Sequence, residues 1–148
     1  NLDFSKDGRA ELFAGYWPKQ ENTEESGAAP LNSAVKYVVS NGAPDLSWGQ
    51  AVLINGNAAT IIKELKMGDG PMLQVHGSSN LIQTLLKEDL VDELWLKIFP
   101  VTLGSGKRLF GEGTRPAAFE LFESSTTPSG VIIASYKRAG DVRTGTFE

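Results

Sequence analysis

Apolar residues repeat along this chain with two different periods, and the switches between them mark the elements. Val35, Tyr37, Val38 and Val39 are β-forming residues closed off by Asn41-Gly42 and Pro44, which predicts a strand. Ala51 to Ile54 predicts a second, shorter strand. Asn55-Gly56-Asn57 then turns the chain into a helix with Ala58, Ile61, Ile62 and Leu65 on one face, ending near Gly68-Asp69-Gly70-Pro71. Met72, Leu73 and Val75 form an apolar run that predicts a strand ending at His76-Gly77. Ser78-Ser79-Asn80 supplies helix-capping side chains just before Leu81, Ile82, Leu85 and Leu86 repeat at helical spacing. Alternation resumes at Leu94, Leu96 and Ile98, with Trp95 on the opposite face. Phe119 to Glu123 and Val131 to Lys137 read as two last strands, and the polar connection between them makes antiparallel pairing the simplest arrangement. Ahead of the first strand, Leu12, Phe13 and Tyr16 predict a short helix within Asn1 to Tyr16, closed by Pro18. Lys19 to Leu31 is polar and acidic and reads as an exposed loop. Strand and helix alternate in the first two thirds and strands follow alone. That order predicts an α/β fold with a mostly parallel central sheet flanked by helices and an antiparallel C-terminal edge.

Composition narrows the classes of function without naming one. A chain of 148 residues, 41% hydrophobic and 22% charged, is expected to form a single soluble domain over residues 1–148. A formal charge of −4 with no stripe of Lys and Arg argues against nucleic acid or an anionic membrane as partner. No apolar run approaches the roughly 20 residues of a membrane span. Zero cysteines exclude disulfides and thiolate chemistry and fit a cytoplasmic address.

The most suggestive chemistry lies at His76-Gly77-Ser78-Ser79-Asn80-Leu81. At the start of a helix the first backbone N–H groups lack intrahelical partners and carry the positive end of the helix dipole, so an anion such as a phosphate is favoured there. Gly77 would let it approach the backbone. The same residues also suit an ordinary strand-to-helix turn. Gly104-Ser105-Gly106-Lys107 is not a nucleotide phosphate loop, because Val101 stands where that loop needs a Gly and Arg108 where it needs Ser or Thr. No G-x-G-x-x-G follows a strand, and a single histidine leaves too few ligands for zinc.

The run from Val91 to Phe110, VDELWLKIFPVTLGSGKRLF, resembles the signature of the reductase domain at the C-terminal end of bifunctional riboflavin-biosynthesis proteins, and of the stand-alone bacterial relatives called dihydrofolate reductase family proteins. The turn His76 to Leu81, the segments Phe13 to Pro18 and Lys36 to Ser40, and the ending Tyr136 to Gly145 match the same family. The resemblance implies a dihydrofolate reductase-like fold and a nicotinamide cofactor, NADPH with NADH not excluded. Its pyrophosphate would lie on Gly77, Ser78, Ser79, Asn80 and Leu81, with His76 at the head of the turn. Ser40 and Asn41 match the position near the adenosine ribose and its 2′-phosphate, where relatives commonly carry a basic residue after the Ser. Asn41 is not basic, and Ser40-Asn41-Gly42 also reads as a plain turn.

Two classes of function stay open: an NAD(P)H-dependent reductase of a pterin- or pyrimidine-like molecule, and a non-catalytic fragment or nucleotide-binding relic of that fold. About a dozen residues precede the match at Phe13, where relatives carry opening strands and an acidic turn. The chain as given is therefore expected to lack those strands and not to turn over substrate by itself, with the edge at Met72 to Val75 left open. No residue is singled out as catalytic. Relatives commonly pair as homodimers, and Trp95, Phe99 and Phe110 supply apolar surface for such a contact.

Overall fold

The computed structural model describes residues 16–20, 28–44 and 46–145. The chain divides after Ile82 into two compact units, taken separately below. The helix expected within Asn1 to Tyr16 falls outside the described residues, except for Tyr16, which leads into a 3-10 turn at Trp17–Gln20. Pro18 sits inside that turn.

In the first unit the expected loop from Lys19 to Leu31 is corrected at its end, where Ala28–Ser33 forms a helix, α1. Pro30 does not prevent it, because in the first helical turn a missing N–H removes no intrahelical bond. The Pro30 carbonyl accepts from the Ala34 N–H at 3.1 Å and closes the helix. Strand β1, Lys36–Val39, and strand β2, Ala51–Ile54, pair in parallel, with Val38 opposite Leu53. Helix α2, Ala58–Met67, is capped by Asn57, whose side chain accepts from the Thr60 N–H at 3.2 Å, and it buries Ile62. Met72 to Val75, expected as a strand, has no ladder partner among the described residues, and Met72 is well exposed. Alternating side chains make a backbone extended, but a strand exists only where a neighbour accepts its N–H and C=O groups.

Lys36 is the unexpected core residue of this unit, only 2% exposed. Its ammonium donates to the Asn32 and Ala34 carbonyls, both at 2.7 Å, just past the end of α1. It also lies 4.8 Å from the ring centre of Trp48, whose Nε1 donates to Asn32 Oδ1 at 2.9 Å. Burial pushes the Lys36 ammonium below its ordinary 10.5.

The helix predicted around Leu81 to Leu86 is α3, Ser79–Lys87, which buries Leu81, Leu85 and Leu86. It ends in paired backbone bonds, Leu90 N–H to Leu85 O at 2.9 Å and Asp89 N–H to Leu86 O at 3.3 Å, with Asp89 in the left-handed region at φ 54°. Asp tolerates that conformation better than most residues. Its carboxylate accepts from Arg138 Nε at 2.8 Å and Nη2 at 3.1 Å. The hydrogen bond to Asp89 is the main reason the Arg138 guanidinium is raised above its ordinary value.

The second unit is built on strands β3, Glu93–Ile98, β4, Phe119–Thr126, and β5, Ile132–Arg138. They form an antiparallel sheet in the order β3-β5-β4, with Trp95 opposite Ser135 and Ser135 opposite Glu123. A bulge between Leu121 and Glu123 leaves Phe122 unpaired. Thr127 to Gly130 joins β4 to β5 by a tight turn, with Gly130 N–H donating to Thr127 O at 2.9 Å and Gly130 at φ 81°. The amide of Gln83 ties down the end of the glycine loop, donating to Leu109 O at 2.7 Å and accepting from the Gly111 N–H at 2.9 Å.

The α/β class and the antiparallel C-terminal edge follow the expectation. The one mostly parallel sheet does not: the described strands form a parallel pair in the first unit and an antiparallel three-stranded sheet in the second. Among the described residues, no helix is long and apolar enough to cross a membrane.

Candidate functional site

The eight residues singled out from the sequence fall in two turns of the first unit. Ser40 follows β1 directly, and its N–H donates to Ile54 O at 3.1 Å, carrying the parallel ladder one step past the strand. The Ser40 hydroxyl is 8% exposed and accepts from the Gly42 N–H at 3.1 Å, so it braces the turn in which Asn41 stands exposed. The hydroxyl proton remains available to a further acceptor. No basic side chain lies between Ser40 and Gly42.

The other six form the entry to α3. His76 is exposed at its head, and Gly77 is buried with φ 137°, a backbone conformation that side chains rarely adopt. The peptide bond between Gly77 and Ser78 is cis. Ser78 is the cap that the Ser-Ser-Asn run predicts: its hydroxyl accepts from the Leu81 N–H at 3.5 Å, and its carbonyl from the Ile82 N–H at 3.0 Å. Ser79 is the first helical residue, half-buried, and Asn80 is exposed beside it. Leu81 differs from the others. Its side chain is buried and its N–H points at Ser78 Oγ, so it anchors the turn from behind.

A capped helix start preceded by a glycine in that conformation presents backbone donors and the positive end of a dipole at one place, with no carboxylate in the run His76 to Leu81. It is suited to a phosphate group. The cavity lined by Leu86, Phe110, Phe119 and Arg115 in the second unit, by contrast, is about 50 Å³, far below the several hundred Å³ of a cofactor pocket.

Sequence reasoning did not find the supports of these turns. Lys36 and Trp48 fix the segments on either side of the β1–β2 pair, and a lysine opening a strand gives no sign of being buried. The sequence also gave Gly77 only the role of allowing close approach, whereas its buried position and positive φ make it a requirement of the turn itself.

Comparison with known proteins agrees with this geometry. The chain is similar to two Bacillus subtilis (strain 168) proteins, both uncharacterized. YyaP is 34% identical over 128 residues, covering 85% of this chain and 68% of YyaP. YwjB is 34% identical over 93 residues, covering 62% of this chain and 53% of YwjB. Among solved structures it is similar to a protein assigned to riboflavin biosynthesis from Shewanella sp. PV-4, with a TM-score of 0.66 and 25% identity, covering 93% of this chain and 73% of that one. It also shares its fold with a pyrimidine reductase-like protein of Corynebacterium diphtheriae, with a TM-score of 0.56 and 18% identity, covering 95% of this chain and 60% of the other. The RibD C-terminal domain model matches residues 8–133, and with the capped turn at Ser78 and the α/β fold already described, the chain belongs to the RibD C-terminal domain family.

Proposed function

We propose that the chain binds a reduced nicotinamide dinucleotide and serves the reduction of a pterin- or pyrimidine-like heterocycle. The observation that carries this reading is the entry to α3, where Gly77 at φ 137° and the Ser78 cap form a helix start suited to an anion in a member of a reductase-like family. Gly77, Ser78 and Ser79 would hold the pyrophosphate, with His76 and Asn80 at its margins. Ser40 would offer its hydroxyl proton, and Asn41 its amide, to the adenosine ribose. The bound cofactor supplies the hydride, and the protein supplies orientation. Leu81 keeps the turn in register from the buried side.

Titrating the purified chain with NADPH and with NADH, followed by nicotinamide fluorescence, tests the binding step. Saturable binding of at least one is expected, and no saturable change with either sinks the proposal. Adding heterocyclic acceptors to the bound complex then separates a reductase from a nucleotide-binding relic.

A further inference from the structure

We infer that the outward face of the β3-β5-β4 sheet is a contact surface for a second copy of this chain. Paired residues of an antiparallel sheet point to the same side. One side therefore carries Leu94, Leu96, Ala134 and Tyr136, all buried or half-buried, together with Arg138, which reaches Asp89 at the end of α3. The opposite side carries Glu93, Trp95 and Lys97 from β3, Lys137, Ser135 and Ile133 from β5, and Glu120, Glu123 and Ser125 from β4. Phe122, extra at the bulge, lies on that side too, because Lys137 Nζ sits 4.6 Å from its ring centre. By alternation Phe99 continues it.

Trp95, Phe99, Phe122 and Ile133 are 58%, 59%, 45% and 36% exposed there, a concentration of large apolar side chains on one sheet face. Two of the rings are already held in place. Trp95 Nε1 donates to Glu93 Oε2 at 2.9 Å, Glu93 lies 3.8 Å from Lys137, and Lys137 covers Phe122. Rings fixed before contact lose less freedom on binding.

The charges identify the occupant. Among the described residues Lys97, on the β3 edge, has no acidic partner, and Glu120 and Glu123, on the β4 edge, have no basic one. A two-fold axis parallel to the strands lays β3 of one copy over β4 of the other, in the aligned packing common for facing sheets. Trp95 then meets the partner's Phe122, Lys97 comes within reach of the partner's Glu123, and both contacts recur in reverse. Ile133, on the central strand, falls near the axis. Each unmatched edge finds the opposite charge in a second copy.

Sedimentation velocity on the full chain tests the inference. A two-chain mass is expected at tens of micromolar. Lys97→Glu and Glu123→Lys should each weaken association at least ~10-fold, because each sets like charges opposite one another twice, and the double reversal should restore it to within ~3-fold. Trp95→Ala should weaken it comparably without altering the circular dichroism spectrum. A one-chain mass at all these concentrations overturns the inference. So do single reversals without effect, or a double reversal that fails to restore association.

Discussion

At the scale of single residues, the two most informative positions are Ser79 and Lys36. Gly77 is a poor probe of anion binding, since any side chain there is strained at φ 137° and a loss of binding would be confounded with a loss of structure. Ser79 avoids this. As the first residue of α3 it can become Asp without opposing the helix dipole, because a carboxylate is favoured in a first turn. Ser79→Asp should therefore keep the thermal midpoint at or slightly above that of the parent chain while weakening NADPH binding by ~10-fold or more through like-charge repulsion. Unchanged affinity in this folded variant would remove the pyrophosphate from the α3 entry. Lys36 tests the support beneath the site. Lys36→Met leaves the Asn32 and Ala34 carbonyls without their donor, and leaving such acceptors unsatisfied costs about 1–3 kcal/mol. The pH dependence has a definite sign. Burial lowers the folded-state value below 10.5, so between the two values the unfolded chain holds more protons, and stability rises with pH. The parent chain should gain on Lys36→Met as pH climbs toward 10.5 and no further above it, and chemical denaturation across that range measures the difference.

At the scale of elements, periodicity in the sequence located most strands and helices, and the failures share a cause. Ala51–Ile54 is as predicted, and α2 and α3 carry their apolar residues where the spacing placed them. Met72 to Val75 shows the limit: its alternation is visible in the sequence, but a ladder depends on a second segment that no local pattern reports. α1 shows another, since Pro30 reads as a breaker until its place in the first turn is known. The end of α3 shows a third. Most such ends use glycine, and nothing near Asp89 advertises a left-handed residue, because its choice is explained by Arg138, distant in sequence. This makes the helix end testable. Asp89→Asn keeps a side chain that tolerates the left-handed backbone and removes the charge that Arg138 meets. It should lower the thermal midpoint by a few degrees, and Asp89→Gly, which relaxes the backbone further, should still not recover the parent value. If Asp89→Gly equals or exceeds the parent, the backbone rather than the Arg138 contact decides this position.

At the scale of the whole molecule, family and fold class were legible because Val91 to Phe110 and the turn at Gly77 are continuous in sequence, whereas the division of the strands between two sheets depends on pairings between distant segments. The cofactor preference belongs to this scale too, since a ligand that binds only the folded chain stabilises all of it. At 100-fold excess over its dissociation constant a single bound dinucleotide contributes about 2.7 kcal/mol, visible as a raised unfolding midpoint. NADPH differs from NADH by the 2′-phosphate, and its reward depends on what the ribose turn offers. Ser40 has its oxygen occupied by the Gly42 N–H and keeps one donor, and Asn41 is neutral, so no charge-assisted, two-pronged contact of the kind arginine makes is available in that turn. The two cofactors should therefore differ in affinity by less than ~10-fold, which is under about 1.4 kcal/mol. Midpoints measured at matched concentrations of each should then nearly coincide. Installing the missing charge with Asn41→Arg, at an exposed position where the fold tolerates it, should separate them in favour of NADPH. A strong preference for NADPH in the parent chain, or no gain for it in Asn41→Arg, would move the 2′-phosphate away from the Ser40 turn.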